Sequence, residues 1–169
     1  MDTDKKLLPV DLLVAMKLAV STGEPASGRA LSQGLGLPHS SVALSLHRLH
    51  ALGLVRDDGH VNKLALRDCL EHAVRWIAPA DVGDFELGLL TAHAAPSMAA
   101  KLSGDDDPLV IPLPHGPKRG RAVTPIHKAA PAAAAKDAKL HQLLAVVDSF
   151  RVGGAREREV ASAELRSCL

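Results

Sequence analysis

The chain has 169 residues, 47% of them hydrophobic, and a formal net charge of +1, so it can bury one ordinary core or a small domain with an extension, but not two domains of full size. Trp76, Phe85 and Phe150 are the aromatic residues, which excludes a stacking platform for single-stranded nucleic acid and favours helix-on-helix packing of Leu, Val and Ala over a sheet sandwich. Cys69 and Cys168 lie far apart, no signal peptide is read and no apolar run reaches the ~18 residues a bilayer demands, so a cytoplasmic chain with no membrane partner is expected.

Leu8, Leu12, Met16 and Ala19 recur at helical spacing, which predicts a first helix over 9–21 with Pro9 near its start. Ala30, Leu31 and Leu35 give the apolar side of a short second helix, broken by a turn at Gly34-Leu35-Gly36. Beyond Pro38, Ser40 or Ser41 is positioned to cap a third helix over 39–52, with Val42, Leu46, Leu49 and Leu52 facing inward and Gly53 ending it. Leu54-Val55-Arg56 and His60-Val61, joined by Asp57-Asp58-Gly59, read as a tight two-stranded wing. Leu66, Leu70, Ala73, Val74 and Ile77 mark one amphipathic helix of about three turns, and Pro79 closes a first domain, 1–79, with the outline of a winged helix-turn-helix.

From Ala80 the chain turns rich in Pro, Gly and Ala, giving a middle segment at 80–135. Pro96 can start a short helix over 96–102, while 109–113 and 121–126 look extended and would form a small β-hairpin through a turn at 115–120. Ala129-Ala130-Pro131-Ala132-Ala133-Ala134-Ala135 reads as a linker. In 136–169, Leu140, Leu143, Leu144 and Val147 form an apolar stripe, Gly153-Gly154 breaks the chain, and Ala161, Leu165 and Cys168 continue on a last helix, making a helical hairpin. Such a stripe is too apolar for a two-helix hairpin to bury alone, so Leu140, Leu143, Leu144, Val147, Ala161 and Leu165 are expected to face the first domain or a second copy, as the interface of a homodimer or with a partner protein. The expected fold class is mainly α, with an N-terminal winged helix-turn-helix, a Pro-rich middle segment and a C-terminal helical hairpin.

Charge is distributed unevenly. Between Pro25 and Arg56 there is no Asp or Glu, while Arg29, Arg48 and Arg56 are present, so the surface around the third helix is locally cationic. Its expected outer face carries Ser40, Ser41, Ala43, Leu44, Ser45, His47 and Arg48: serines for phosphates or base edges, Ala43 and Leu44 for thymine methyls, and Arg48 for guanine or phosphate. The runs SGRALSQGLGL and LSLHRLHALGLV resemble the winged helix-turn-helix transcriptional regulators of bacteria, in particular the MarR-like grade, over about residues 9–63. TAHAAP at 91–96 and RVGGARERE at 151–159 also look like segments of small MarR-like proteins. The resemblance implies that the 39–52 helix reads double-stranded DNA, that 56–63 forms the wing with Arg56, His60 and Lys63, and that the working unit is a dimer, for example a repressor that occludes promoters. Leu44 stands where that family usually has a polar or basic residue, and a long tail follows.

Other chemistry is thinly signposted. His47-x-x-His50 and Cys69-x-x-His72 each put two ligand types on one helical face, with His60 near in sequence, yet no spacing brings together the three or four ligands that zinc requires, so no metal is expected. Asp105-Asp106-Asp107 before a proline reads as a solvated loop. No phosphate loop, nucleophile elbow or other catalytic constellation is recognisable, so neither an enzyme nor a cofactor is expected. Gly116-Pro117-Lys118-Arg119-Gly120-Arg121 is the densest basic patch and partly resembles the minor-groove AT-hook, but with Ala122 where proline would follow; Lys118, Arg119 and Arg121 are then either an accessory arm on DNA phosphates or a solvated turn. The rival to DNA binding is a protein-interaction module, such as an antitoxin-like or defence-associated component.

Overall fold

In the computed structural model, which describes residues 5–102 and 106–169, Pro9 opens helix α1 (Pro9–Val20) at a position where a missing amide costs no helical hydrogen bond. Of the acidic run at 105–107, Asp105 lies outside the described residues. Ser27 caps α2 (Gly28–Leu35) by accepting from the Ala30 amide at 3.2 Å. Gly36, at φ +65°, then supplies the left-handed residue that turns the chain into α3 (His39–Ala51). The cap of α3 is Pro38, so Ser40 and Ser41, expected as caps, sit inside the first turn. The predicted two-stranded wing reduces to a single antiparallel bridge between Val55 and Val61. The helix predicted over 66–77 is two, α4 (Lys63–His72), capped by Asn62, and α5 (Val74–Ile77), parted at Ala73.

A ten-residue strand that the sequence reading does not anticipate follows, β1 (Val82–Thr91). After a 3-10 turn at Ala92–Ala94 and the single-turn helix α6 (Pro96–Ala99) come β2 (Leu109–Pro112) and β3 (Lys118–Val123). These two do not pair as the expected hairpin. β2 runs antiparallel to the second half of β1, Gly88 opposite Pro112 through Thr91 opposite Leu109; β3 runs antiparallel to its first half, Gly88 opposite Lys118 and Phe85 opposite Arg121. A residue can face two strands only across its two edges, so the chain crosses from one edge of β1 to the other at Gly88. β2 and β3 then meet in parallel, closing a small barrel. Glycine is required at the crossing, where a Cβ on Gly88 would lie 2.1 Å from the Ile111 carbonyl oxygen and one on Gly116 would lie 2.5 Å from the Gly88 backbone.

The expected linker is a helix, α7 (Ala130–Lys136), with Pro131 in its first turn and Ala130, Ala133 and Ala134 buried. Alanine is the best helix former, and proline in a first turn does not oppose it. Asp137 ends α7 and caps α8 (Ala138–Val152), which leads through Gly153 to α9 (Ala155–Cys168). Residues 143–151 of α8 are buried on every side, which makes it the central helix. It packs against α1, α4, α5, α7, α9 and β1. One main apolar cluster therefore runs from Leu12 in α1 to Leu165 in α9.

This packing corrects the interface expectation. Leu140, Leu143, Leu144, Val147, Ala161 and Leu165 are all 2% exposed or less within a single chain, so they are core residues and present no surface to a second copy. Among the described residues the fold is mixed α/β and mainly helical, with nine α-helices and three strands. No helix among them is long and apolar enough to cross a membrane.

A buried polar chain locks α8 to the strands. The Thr91 hydroxyl donates to Asp148 at 2.6 Å, Arg151 donates to the other Asp148 oxygen at 2.6 Å, and the same guanidinium donates to the backbone carbonyls of Ala78 and Pro79. Burial pushes the Asp148 carboxyl above its ordinary range against the opposing pull of Arg151. With each polar atom partnered, the cost of burying it is offset.

Candidate nucleic-acid interface

The α2–α3 pair is held against α1 by Val42 and Leu49, which are fully buried. That leaves His39, Ser40, Ala43, Leu44, His47, His50 and Ala51 on the solvent side of α3, with Ser41 half-buried at its edge. No carboxylate lies on this face. Leu44 is 60% exposed, an uncommon exposure for a leucine in mid-helix with polar neighbours.

Two residues expected on this face have other roles. Ser45 is fully buried. Arg48 reaches the Asp11 carboxylate with two parallel bonds, Nε to Oδ2 at 2.9 Å and Nη2 to Oδ1 at 2.6 Å, and only 16% of its side chain is exposed. Asp11 is itself fully buried and accepts the Leu8 amide at 2.8 Å, so Arg48 neutralises a charge that would otherwise sit uncompensated in the core. It is a clamp between α1 and α3 instead of a base reader. The helical period puts Arg48 near the exposed face; a carboxylate within the otherwise apolar run of α1 is the signal that it needs a partner.

Arg29, at the start of α2, and Arg56, His60 and Lys63, around the Val55–Val61 bridge, are exposed. Arg56 lies 3.4 Å and His60 Nδ1 3.5 Å from the Asp58 carboxylate, which tempers the Arg56 charge. The His60 backbone N–H, and after it the charge of Arg56, holds the Asp58 carboxyl below the usual range. His60 and Lys63 border two adjoining grooves of about 290 and 500 Å³, the first also lined by Arg56 and the second by Lys139. Arg56, Lys63 and Lys139 thus border these grooves, with the exposed carboxylates of Asp57 and Asp58 in the same turn as Arg56.

The second basic patch lies elsewhere in the fold. Lys118, Arg119 and Arg121 are exposed residues of β3, not of a connecting turn. Arg121 donates to the carbonyls of Gly83 and Val82, and the Arg119 guanidinium sits 5.5 Å from the centre of the Phe85 ring. Among the described residues no three His, Cys, Asp or Glu side chains converge as a metal-binding group. Burial pushes the thiols of Cys69 and Cys168 up, away from the thiolate form. Comparison with known proteins finds no matching family model, no matching curated protein and no matching solved structure.

Proposed function

We propose that this chain is a winged helix-turn-helix protein of the MarR-like kind that binds double-stranded DNA and regulates transcription by occluding a promoter. The observation that carries the reading is α2 and α3 joined through the left-handed Gly36, with a carboxylate-free outer face on α3 and, next in the chain, exposed Arg56, His60 and Lys63 around the Val55–Val61 bridge. In this reading Arg29, Arg56 and Lys63 take phosphates, Ser40 and Ser41 take phosphates or base edges, and Ala43 and Leu44 meet thymine methyls. With Arg48 and Ser45 engaged in the core, the face is poor in bidentate readers, so groove shape contributes much of the discrimination. A homodimer would have to form through a surface other than the buried stripe of α8 and α9.

The test is selection of duplexes from a random pool, then titration of the enriched duplex against salt. A log–log slope of about −0.9 per neutralised phosphate is expected, and Arg56→Ala with Lys63→Ala should flatten it by about that amount for each phosphate no longer neutralised. Failure to enrich any duplex, with no salt-dependent binding at tens of micromolar, overturns the reading. One observation favours the rival, a module for a partner protein: besides Leu44, Leu64 and Trp76 are 66% and 75% exposed.

A further inference from the structure

The first half of β1 is an unfinished sheet edge. β3 covers one edge of Val82–Leu87, whereas β2 reaches only Gly88 to Thr91 on the other, and among the described residues no strand pairs with that second edge before Gly88. Two hydrogen bonds orient it. The Leu87 carbonyl accepts from the Leu113 amide, so the backbone groups of Leu87 face the β2 side. The Arg121 amide donates to the Pro108 carbonyl, away from β1, so its partner Phe85 is not bonded to β3 and turns its own N–H and C=O to the same open edge. Gly83, Asp84, Phe85, Glu86 and Leu87 are all exposed. Strand alternation puts Phe85 and Leu87 on one face and Asp84 and Glu86 on the other.

We infer that this edge accepts an extended segment of another protein by strand addition, a segment with apolar residues at every second position and Lys or Arg between them. Directly opposed side chains on neighbouring strands share a face. An incoming strand therefore sets one row of side chains on Phe85 and Leu87 and the alternate row against Asp84 and Glu86. A second copy of this chain fits poorly. Two-fold antiparallel pairing of β1 with itself, centred on Phe85, puts Asp84 opposite Glu86 twice; centred on Asp84 or Glu86, it puts a carboxylate opposite its own copy. Like charges directly opposed destabilise a pair, whereas an alternating apolar and basic strand meets complements on both faces. This surface is independent of the α3 face, so it stands or falls apart from the DNA reading.

The experiment is selection of octapeptides from a random displayed library against the full-length protein, with counter-selection against Asp84→Lys, Glu86→Lys. Enriched peptides should alternate apolar and basic residues, bind the double variant about tenfold or more weakly, and protect the Phe85 amide from hydrogen exchange. Circular dichroism of the variant, altered only at exposed positions, controls for folding; should it unfold, Phe85→Ser, which keeps the backbone groups and removes the apolar side chain, replaces it and should likewise weaken binding. No enrichment, peptides without the alternation, or protection that maps elsewhere would overturn the inference. So would concentration-dependent protection of β1 in the protein alone, which would assign the edge to a second copy.

Discussion

Removing the Arg48 guanidinium should erase much of the protein's margin of stability, and removing its carboxylate partner as well should give it back. Arg48→Met leaves the Asp11 carboxylate fully buried, with the Leu8 amide still bonded to it but no guanidinium to balance its charge. Breaking a buried pair from one side costs about 3–5 kcal/mol, because a charge is left uncompensated in low dielectric. Native domains hold only about 5–15 kcal/mol in total, so the single variant should lose about a fifth or more of its stability. Asp11→Leu together with Arg48→Met removes both charges and should recover most of the loss, since apolar replacement of buried pairs is often neutral or better. Urea unfolding followed by circular dichroism measures all three chains, with an unchanged slope showing that the denatured state is the same. The double variant also separates clamp from reader: a DNA affinity lost in Arg48→Met and restored in the double variant assigns Arg48 to positioning α3. A loss of under ~1 kcal/mol in Arg48→Met, the range of exposed ion pairs, would refute the buried-charge argument.

Gly88→Ala should lower stability by about 1–3 kcal/mol or more, because its Cβ collides with backbone, while Gly83→Ala, whose Cβ lies 3.8 Å from the nearest atom, the Ala122 oxygen, should stay within about 0.5 kcal/mol; equal urea midpoints would contradict the strand crossing. Leu143→Asp places an unpaired charge at a fully buried site of the central helix, and the expected outcome is an insoluble or unfolded chain, a folded soluble monomer being the contrary result. Asp137 caps α8 through the Lys139 and Leu140 amides and pairs with Lys17 at 2.5 Å. Partial burial raises its pKa, but the Lys17 bond and these amides outweigh that and hold it below its ordinary value of 3.8. A depressed acid contributes stability above its unfolded pKa and loses it as pH falls through the folded one. Asp137→Ala should therefore cost about 0.5–2 kcal/mol at neutral pH, and its thermal midpoint should fall less than wild type's as pH drops below about 4.

What is legible in the sequence is local. Apolar residues at helical spacing locate α1, α3, α8 and α9, and Gly36 marks the turn between α2 and α3, because each signal is contained within a few residues. The Phe85, Leu87, Leu89 alternation is equally present, but Gly83 and Gly88 interrupt it, and its meaning depends on partners some thirty residues away. The alanine run reads as a linker because Pro131 looks like a breaker; in the first turn of a helix it breaks nothing. The stripe on α8 is visible, and its destination is not. A stripe states how much surface must be buried but leaves open whether the cover comes from α1 and α9 or from another chain.

The same limit explains the two buried ion pairs. Leu, Val and Ala substitute for one another at modest cost, so a core almost without aromatics is shape-degenerate and would tolerate α1 sliding on α3, or α8 on β1. A charge pair does not tolerate it. Displacement of α3 by one turn, about 5.4 Å, carries the Arg48 guanidinium beyond bonding reach of Asp11 and strands a carboxylate in the core. Asp148 imposes the same condition on α8, since it must meet Thr91 on β1 and Arg151 together, while Arg151 must also reach the carbonyls at 78 and 79. Apolar burial gathers the helices; Asp11–Arg48 fixes the register of α3 on α1, and the Asp148 bond to Thr91 with the Arg151 bonds to the carbonyls at 78 and 79 fixes that of α8. The tilt of α3 relative to its flanking cations, on which any reading of a DNA groove rests, is thus set by a pair 37 positions apart in the chain.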